Sequence, residues 1–153
     1  FNYSVGGLGY AFPASIGAYF ASGVTTTCIT TDGSFAFNLG ELETVKREGA
    51  DIKIFIFNNS SFGWIRAAMV NDIGRIVKGT QHSQINFSGI AHAFGLPYHT
   101  VERTSELQEV LHTVYGTPGP CLINVECLTE DQLVPPVPEW RKVSRLTGSR
   151  YMG

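Results

Sequence analysis

Residues Thr25–Trp64 read TTTCITTDGSFAFNLGELETVKREGADIKIFIFNNSSFGW. Two apolar, β-branched runs, Cys28–Thr31 and Ile52–Phe57, each stop abruptly in polar, oxygen-bearing residues. The first stops in Asp32-Gly33-Ser34 and the second in Asn58-Asn59-Ser60-Ser61. The intervening Leu39 to Glu48 is amphipathic, Asn38 and Glu41 are spaced as a capping box for its start, and Gly49 supplies its stop. Strand, helix and strand in this order predict a βαβ unit with parallel strands and a right-handed crossover. Asp32 and Asn59 then leave the carboxyl ends of two strands on one edge of a sheet, where open α/β sheets bind their ligands.

The chemistry at the two ends agrees. Asp32 offers a carboxylate and Asn59 an amide oxygen, a donor set that suits a hard cation, Mg²⁺ or Ca²⁺. Gly33 and Ser34 follow at a strand-to-loop turn, where backbone N–H groups can face a phosphate. Mg²⁺ commonly completes its shell with waters and substrate phosphates, so the residues describe a site for Mg²⁺ and a phosphorylated ligand. Either pair alone reads more readily as turn residues after a strand. Both together, at adjacent strand ends, bring the site reading level with the turn reading.

Asp32-Gly33-Ser34, the spacer and Asn58-Asn59 resemble the cofactor signature of thiamine diphosphate enzymes, Gly-Asp-Gly followed at a distance by Asn-Asn. Thr31 stands where that signature has its first glycine. Upstream, Gly6-Gly7-Leu8-Gly9-Tyr10-Ala11-Phe12-Pro13-Ala14 resembles the corresponding stretch of the acetohydroxyacid synthase (acetolactate synthase), benzoylformate decarboxylase and pyruvate decarboxylase group. The resemblance runs from about Val5 to Glu126. It implies the diphosphate-binding domain of an enzyme that uses thiamine diphosphate and Mg²⁺ on 2-oxo acids, as a decarboxylase, a carboligase or both. That makes it an acetolactate synthase-like lyase or transferase. It places Asp32, Asn59 and the Ser61 carbonyl on the metal, and Gly33, Ser34 and Asn59 at the diphosphate. The Gly6 carbonyl falls on the cofactor's 4′-amino group, Leu8 between its two rings, and Trp64 and Ile65 on the thiazolium side. Pyruvate decarboxylases carry a glutamate at the position of Ile65, and acetohydroxyacid synthases a tryptophan at that of Ala68; neither is present. The glutamate that activates the aminopyrimidine is expected on a separate pyrimidine-binding domain, usually of another subunit, so a homodimer or homotetramer is implied. Glu41 and Glu43, on the crossover helix, are not substitutes, and no catalytic residue is assigned within the chain.

The chain has 153 residues, enough for one domain with a sizeable core. Its 11 basic and 13 acidic residues give no electrostatic case for nucleic acid or a membrane surface, and no apolar run is long enough to span a bilayer. Phe1 is not an initiator methionine, and the chain is expected to be the C-terminal part of a larger one. Cys28, Cys121 and Cys127 are odd in number and the first two lie in apolar runs, which predicts free, buried thiols in a cytoplasmic protein.

The remaining residues alternate helix and strand. Pro13 suits the first turn of a helix that carries Ala14, Gly17, Ala18 and Ala21, small enough for close packing, and stops near Gly23. Asn71-Asp72-Ile73-Gly74 and Lys78-Gly79-Thr80 read as loops, and His82 as a solvated loop histidine. Asn86 opens a short helix with Phe87, Ile90, Ala91 and Phe94 on one face and Gly95 at its end, leaving His92 to solvent. A short strand lies within Leu96 to Glu102. Ser105 and Gln108 are spaced to cap a helix striped by Leu107, Val110, Leu111 and Val114, and Cys121–Val125 is a buried strand. The alternation predicts an α/β fold, a doubly wound parallel sheet with helices on both faces, over residues 1–127. Residues 128–153, rich in proline around Val134-Pro135-Pro136-Val137-Pro138, form a tail. Two other functional readings fit the motifs: a stand-alone small subunit of a heteromeric 2-oxo acid decarboxylase or oxidoreductase, and a non-catalytic Mg²⁺- or nucleotide-binding module.

Overall fold

The computed structural model describes residues 6–73 and 78–129. Gly74 and residues 130–153, read as loop and tail, lie outside the described residues. The chain divides into two units, Phe1–Asn58 with Ile85–Cys127 and Asn59–Gln84 with Leu128–Gly153.

The first unit is built on four parallel strands: β1 (Thr26–Thr31), β2 (Ile52–Asn58), β3 (Tyr98–Val101) and β4 (Cys121–Glu126), in the order β1-β2-β4-β3. β1 and β2 run in step, Thr26 beside Ile52 and Thr31 beside Phe57. Strand alternation divides the core in two. Ile52, Ile54 and Ile56 of β2 and Leu122 of β4 face one layer of helices: α1 (Ala11–Ser22), α2 (Asp32–Ala36), α3 (Glu41–Glu48) and α5 (Phe87–Ala93). Phe12, Phe35, Leu42, Val45 and Phe87 fill that layer, with the Phe12 and Phe35 rings 5.0 Å apart. Phe55 and Ile123 face the other layer, where α6 (Leu107–Gly116) brings Leu107, Val110, Leu111 and Val114. The expected doubly wound α/β sheet with helices on both faces is therefore present.

Several local expectations hold. α1 carries Pro13 in its first turn and ends at Gly23 in a left-handed conformation, and α3 ends at Gly49 in the same way. Asn86 Oδ1 accepts from the Gly89 N–H at 2.8 Å and caps α5, and His92 is exposed. Cys28 and Cys121 are buried and all three cysteines are free thiols.

Four details differ. First, α3 starts at Glu41 with Gly40 before it and no side-chain cap, so Asn38 does not close a capping box. Consecutive backbone turns (Asn38 N–H to Phe35 O, Glu41 N–H to Asn38 O, Leu42 N–H to Leu39 O) already satisfy the donors at that end, and Glu41 accepts from Thr44 instead. Second, α1 turns Phe12, Ser15 and Ile16 inward, while Gly17, Ala18 and Ala21 are exposed; Phe12 and Ile16 bury more apolar area than the small residues could. Third, Ser105 and Gln108 do not cap α6. A 3₁₀ turn, Thr104–Glu106, leads into it, and the Glu106 carboxylate accepts from the N–H groups of Glu102 and Arg103 at 2.9 and 3.1 Å. Finally, in the second unit, α4 (Gly63–Ile73) continues through Asn71, Asp72 and Ile73, which the composition alone had placed in a loop. The Lys78-Gly79-Thr80 turn is as expected, with Gly79 at φ +99°.

Candidate functional site

β1 delivers Asp32 to the carboxyl end of the sheet and α2 begins on that same residue. A helix that starts as the strand stops turns the Asp32 side chain inward, and it is 1% exposed. The segment expected as a loop is thus the first turn of a short helix. Gly33 is buried and its N–H donates to Asp32 Oδ1 at 2.7 Å, so this donor is engaged by the preceding carboxylate. Ser34, half-buried, accepts from the Gly9 N–H at 2.9 Å. Across that bond lie Gly6, Gly7 and Leu8, all exposed, with Leu8 at 50%. Gly6 has φ +59° and open space where a Cβ would stand, a backbone that only glycine holds cheaply.

Gly6, Gly7, Leu8 and Ser34 line one end of a groove of about 590 Å³ formed by the Gly6–Leu8 loop, α1 and β1. The groove continues along β1 to Thr26 at the amino end of the sheet. Its Leu8, Thr31 and Ser34 end is the part that corresponds to the expected cofactor position. The structure thus brings Gly6, Leu8, Asp32, Gly33 and Ser34 into one neighbourhood.

At the end of β2 the two asparagines separate in role. Asn58 is 2% exposed, and its Nδ2 donates to Glu126 Oε1 at 3.3 Å. Asn124 Nδ2 donates to the same oxygen at 2.6 Å, and the Asn58 carbonyl accepts from the Cys127 N–H at 2.8 Å. Asn58 therefore ties β2 to the end of β4. Asn124 and Glu126 were not singled out in the sequence; a lone asparagine inside the run Cys121-Leu122-Ile123-Asn124-Val125 was the available signal. Tyr98 faces the same polar cluster. Burial pushes its hydroxyl above the ordinary value, against hydrogen bonds from Thr100 and Asn124 and with the charges of Glu126 and Glu102 adding to the rise.

Asn59, Ser61, Trp64 and Ile65 belong to the second unit. Asn59 Oδ1 accepts from the Ser61 N–H at 3.0 Å, a tight local turn in which Ser60 has φ +54°. Residues 80–82 hold this turn in place. Ser61 pairs with Gln81 in an isolated bridge, Thr80 O accepts from Phe62 N–H at 2.8 Å, and Ser60 O accepts from His82 N–H at 3.3 Å. His82 is half-buried, its ring edge-on to Phe62 at 5.5 Å, rather than solvated. Trp64 and Ile65 start α4 at 59% and 46% exposure. Ser61 is 5% exposed, and the role expected of it calls on its backbone carbonyl alone.

Among the described residues no three His, Cys, Asp or Glu side chains form a cluster. In the first unit Asp32 offers a buried carboxylate, and in the second Asn59 and Ser61 offer an amide and a carbonyl oxygen; each is a hard oxygen donor of the kind that suits Mg²⁺ and not a thiolate- or imidazole-seeking metal. The residues present therefore fit the group that the sequence implied.

Fold and site together define an open parallel α/β sheet with a buried aspartate and an asparagine at the carboxyl ends of adjacent strands, beside a glycine-rich loop. The chain belongs to the family described as thiamine pyrophosphate enzyme, C-terminal TPP binding domain, whose profile matches residues 1–125. Membership brings thiamine diphosphate, with Mg²⁺ as its usual metal. Among curated proteins, the chain is 30% identical over 147 residues to the acetolactate synthase isozyme 1 large subunit of Escherichia coli (strain K12), covering 94% of this chain and 26% of that protein. It is 32% identical over 147 residues to the acetolactate synthase large subunit of Cyanidium caldarium, covering 94% and 25%. Against the chloroplastic acetolactate synthase of Arabidopsis thaliana it is 31% identical over 143 residues, covering 88% and 21%. The chain thus spans about a quarter of the length of these relatives. No helix among the described residues is long and apolar enough to cross a membrane.

Proposed function

We propose that this chain is the diphosphate- and Mg²⁺-binding domain of an acetolactate synthase-like enzyme acting on small 2-oxo acids, by decarboxylation, carboligation or both. The observation that carries the reading is the burial of Asp32, 1% exposed, at the first residue after β1 in a chain of this family. Asp32 Oδ1 accepts from the Gly33 N–H at 2.7 Å, and a cation would be a further partner of this buried carboxylate. Asp32, Asn59 and the Ser61 carbonyl are the residues that would hold Mg²⁺, and Gly33, Ser34 and Asn59 those that would meet the diphosphate. Gly6 would offer its carbonyl to the aminopyrimidine, and Leu8 would stand between the two rings.

When bound, thiamine diphosphate supplies a nucleophilic carbon that adds to a 2-oxo acid carbonyl and accepts the electrons left as CO₂ departs. The chain's own residues bind, orient and exclude water. Leu8 in the first unit, and Trp64 and Ile65 in the second, are each large, apolar and exposed, which favours an aliphatic or aromatic 2-oxo acid over a sugar phosphate as the substrate they would meet. The activating glutamate belongs to a pyrimidine-binding domain of the same enzyme, most simply in another subunit of a homodimer or homotetramer. The outward-facing Gly17, Ala18, Phe20 and Ala21 of α1 support a partner surface there. Three free thiols support a reducing compartment such as the cytoplasm, and the enzyme class is that of a lyase or transferase.

The test is turnover by the full-length enzyme, stripped of metal and cofactor and then reconstituted, on a panel of 2-oxo acids and sugar phosphates. Release of CO₂ from pyruvate-type acids, dependent on both Mg²⁺ and thiamine diphosphate, is the expected result. Turnover of sugar phosphates with none of the 2-oxo acids would contradict the substrate class.

A further inference from the structure

Both backbone groups of Gly9 are held by side chains reaching from the α2–α3 segment. Ser34 Oγ accepts from the Gly9 N–H at 2.9 Å, and Asn38 Nδ2 donates to the Gly9 carbonyl at 2.7 Å. The approach is close. A Cβ on Gly9 would lie 2.6 Å from Asn38 Nδ2 and 3.2 Å from Phe37 Cβ, and Gly9 has φ +83°. Gly9 is buried, whereas Gly6, Gly7 and Leu8 before it are exposed. The loop is therefore fixed at its last residue and open along the rest. Ser34 sits on the same short helix as Asp32, and Asn38 lies two residues beyond its end, so the fixing point ties the loop to the turn that carries the carboxylate.

We propose that Asn38 is a positioning residue: by holding the Gly9 carbonyl it sets where Gly6 and Leu8 stand relative to Asp32, and so matches the loop to the pyrimidine end of the cofactor. This rests on the reading that the chain binds thiamine diphosphate. Asn38 is not among the cofactor contacts, since its amide is directed to the Gly9 carbonyl. The helix start does not need it either, because α3 begins without a side-chain cap. A donor held 2.7 Å from a loop carbonyl across 29 residues of sequence has a tertiary role.

The test uses the full-length enzyme with Asn38→Ala and Asn38→Asp, the second keeping the size of the side chain while removing its donor. Affinities for thiamine diphosphate and for inorganic pyrophosphate are measured separately by calorimetric titration, each with Mg²⁺. A positioning role predicts that both variants bind thiamine diphosphate about tenfold more weakly, the scale of one lost hydrogen bond, with pyrophosphate affinity unchanged. Parallel weakening of both ligands with a lowered Tm would overturn it in favour of a merely structural role. Unchanged thiamine diphosphate affinity in both variants would also overturn it. A wild-type enzyme that bound pyrophosphate but no thiamine diphosphate would overturn the functional reading and this inference with it, an outcome told apart by the wild-type titration alone.

Discussion

Gly9 and Gly49 both hold left-handed backbone, at φ +83° and +60°, but only Gly9 is enclosed. A Cβ on Gly49 would meet nothing within 4 Å, whereas one on Gly9 would run into Asn38 and Phe37. Gly49→Ala should therefore cost about 1 kcal/mol, the penalty for a side chain in left-handed backbone. Gly9→Ala should cost more, since backbone strain alone runs to about 1–3 kcal/mol and steric conflict adds to it. Urea-denaturation midpoints check this, and equal losses at the two sites would refute the enclosure. The difference was not legible in the sequence. Gly49 follows an amphipathic run and announces itself as a helix stop, while the partners of Gly9 lie 25 and 29 residues away. Asn38 was misread for the same reason: its spacing to Glu41 fits a local capping pattern, and a tertiary partner claimed the side chain first.

At the scale of the element, β2 carries a residue that its apolar character conceals. Lys53 is 1% exposed, and its ammonium donates to the carbonyls of Thr117 and Gly119 at 2.8 and 2.6 Å and pairs with Asp51 at 2.6 Å. The pair clamps the amino ends of β2 and β4. Asp51→Asn leaves a buried cation without its counter-charge and should destabilise the fold by about 3 kcal/mol, measured by chemical denaturation. Burial pushes the Asp51 carboxyl upward, but hydrogen bonds from Lys53 and Thr25, and the charge of Lys53, outweigh it and hold the group below its ordinary 3.8. A carboxyl depressed in the native state contributes stability that is present above 3.8 and lost as pH falls from there through the lower native value. Loss of stability with acid over that window should be shallower in Asp51→Asn, and an identical slope would contradict the assignment. Beside this clamp, burial pushes the Cys121 thiol up to about 11, despite the opposing charge of Lys53. In the folded protein Cys121 should resist alkylation at pH 8, the thiolate being the reactive form, and become reactive in denaturant. Mass spectrometry after iodoacetamide treatment reads this directly. The strands and helices themselves were legible because β-branched runs and 3.6-residue stripes dominate them. Lys53 was not, because nothing local tells a buried lysine from a solvated one.

For the whole molecule, the parallel order β1-β2-β4-β3 puts the ends of β1 and β2 side by side, as the opening βαβ pattern required. Hence the placing of Asp32 and Asn58 at adjoining strand ends was legible before any geometry was known. Two features of these strand ends were not: the inward packing of Gly33 against the Asp32 carboxylate, and the placing of Asn58 on Glu126, both of which depend on how α2 and β4 meet the strand ends. A polypeptide of these 153 residues alone should show no turnover of 2-oxo acids, because general acid–base help worth about 10²–10⁴-fold is expected from a glutamate on another domain. Robust activity in that polypeptide would place the missing acid within it. The central claim is that Asp32 anchors the metal and through it the cofactor. Thermal unfolding of the full-length enzyme, with and without Mg²⁺ and thiamine diphosphate, tests it most directly. At a hundredfold excess over Kd the wild type should gain about 2.7 kcal/mol and Asp32→Ala none, whereas an Asp32→Ala enzyme that kept the whole gain would contradict the account.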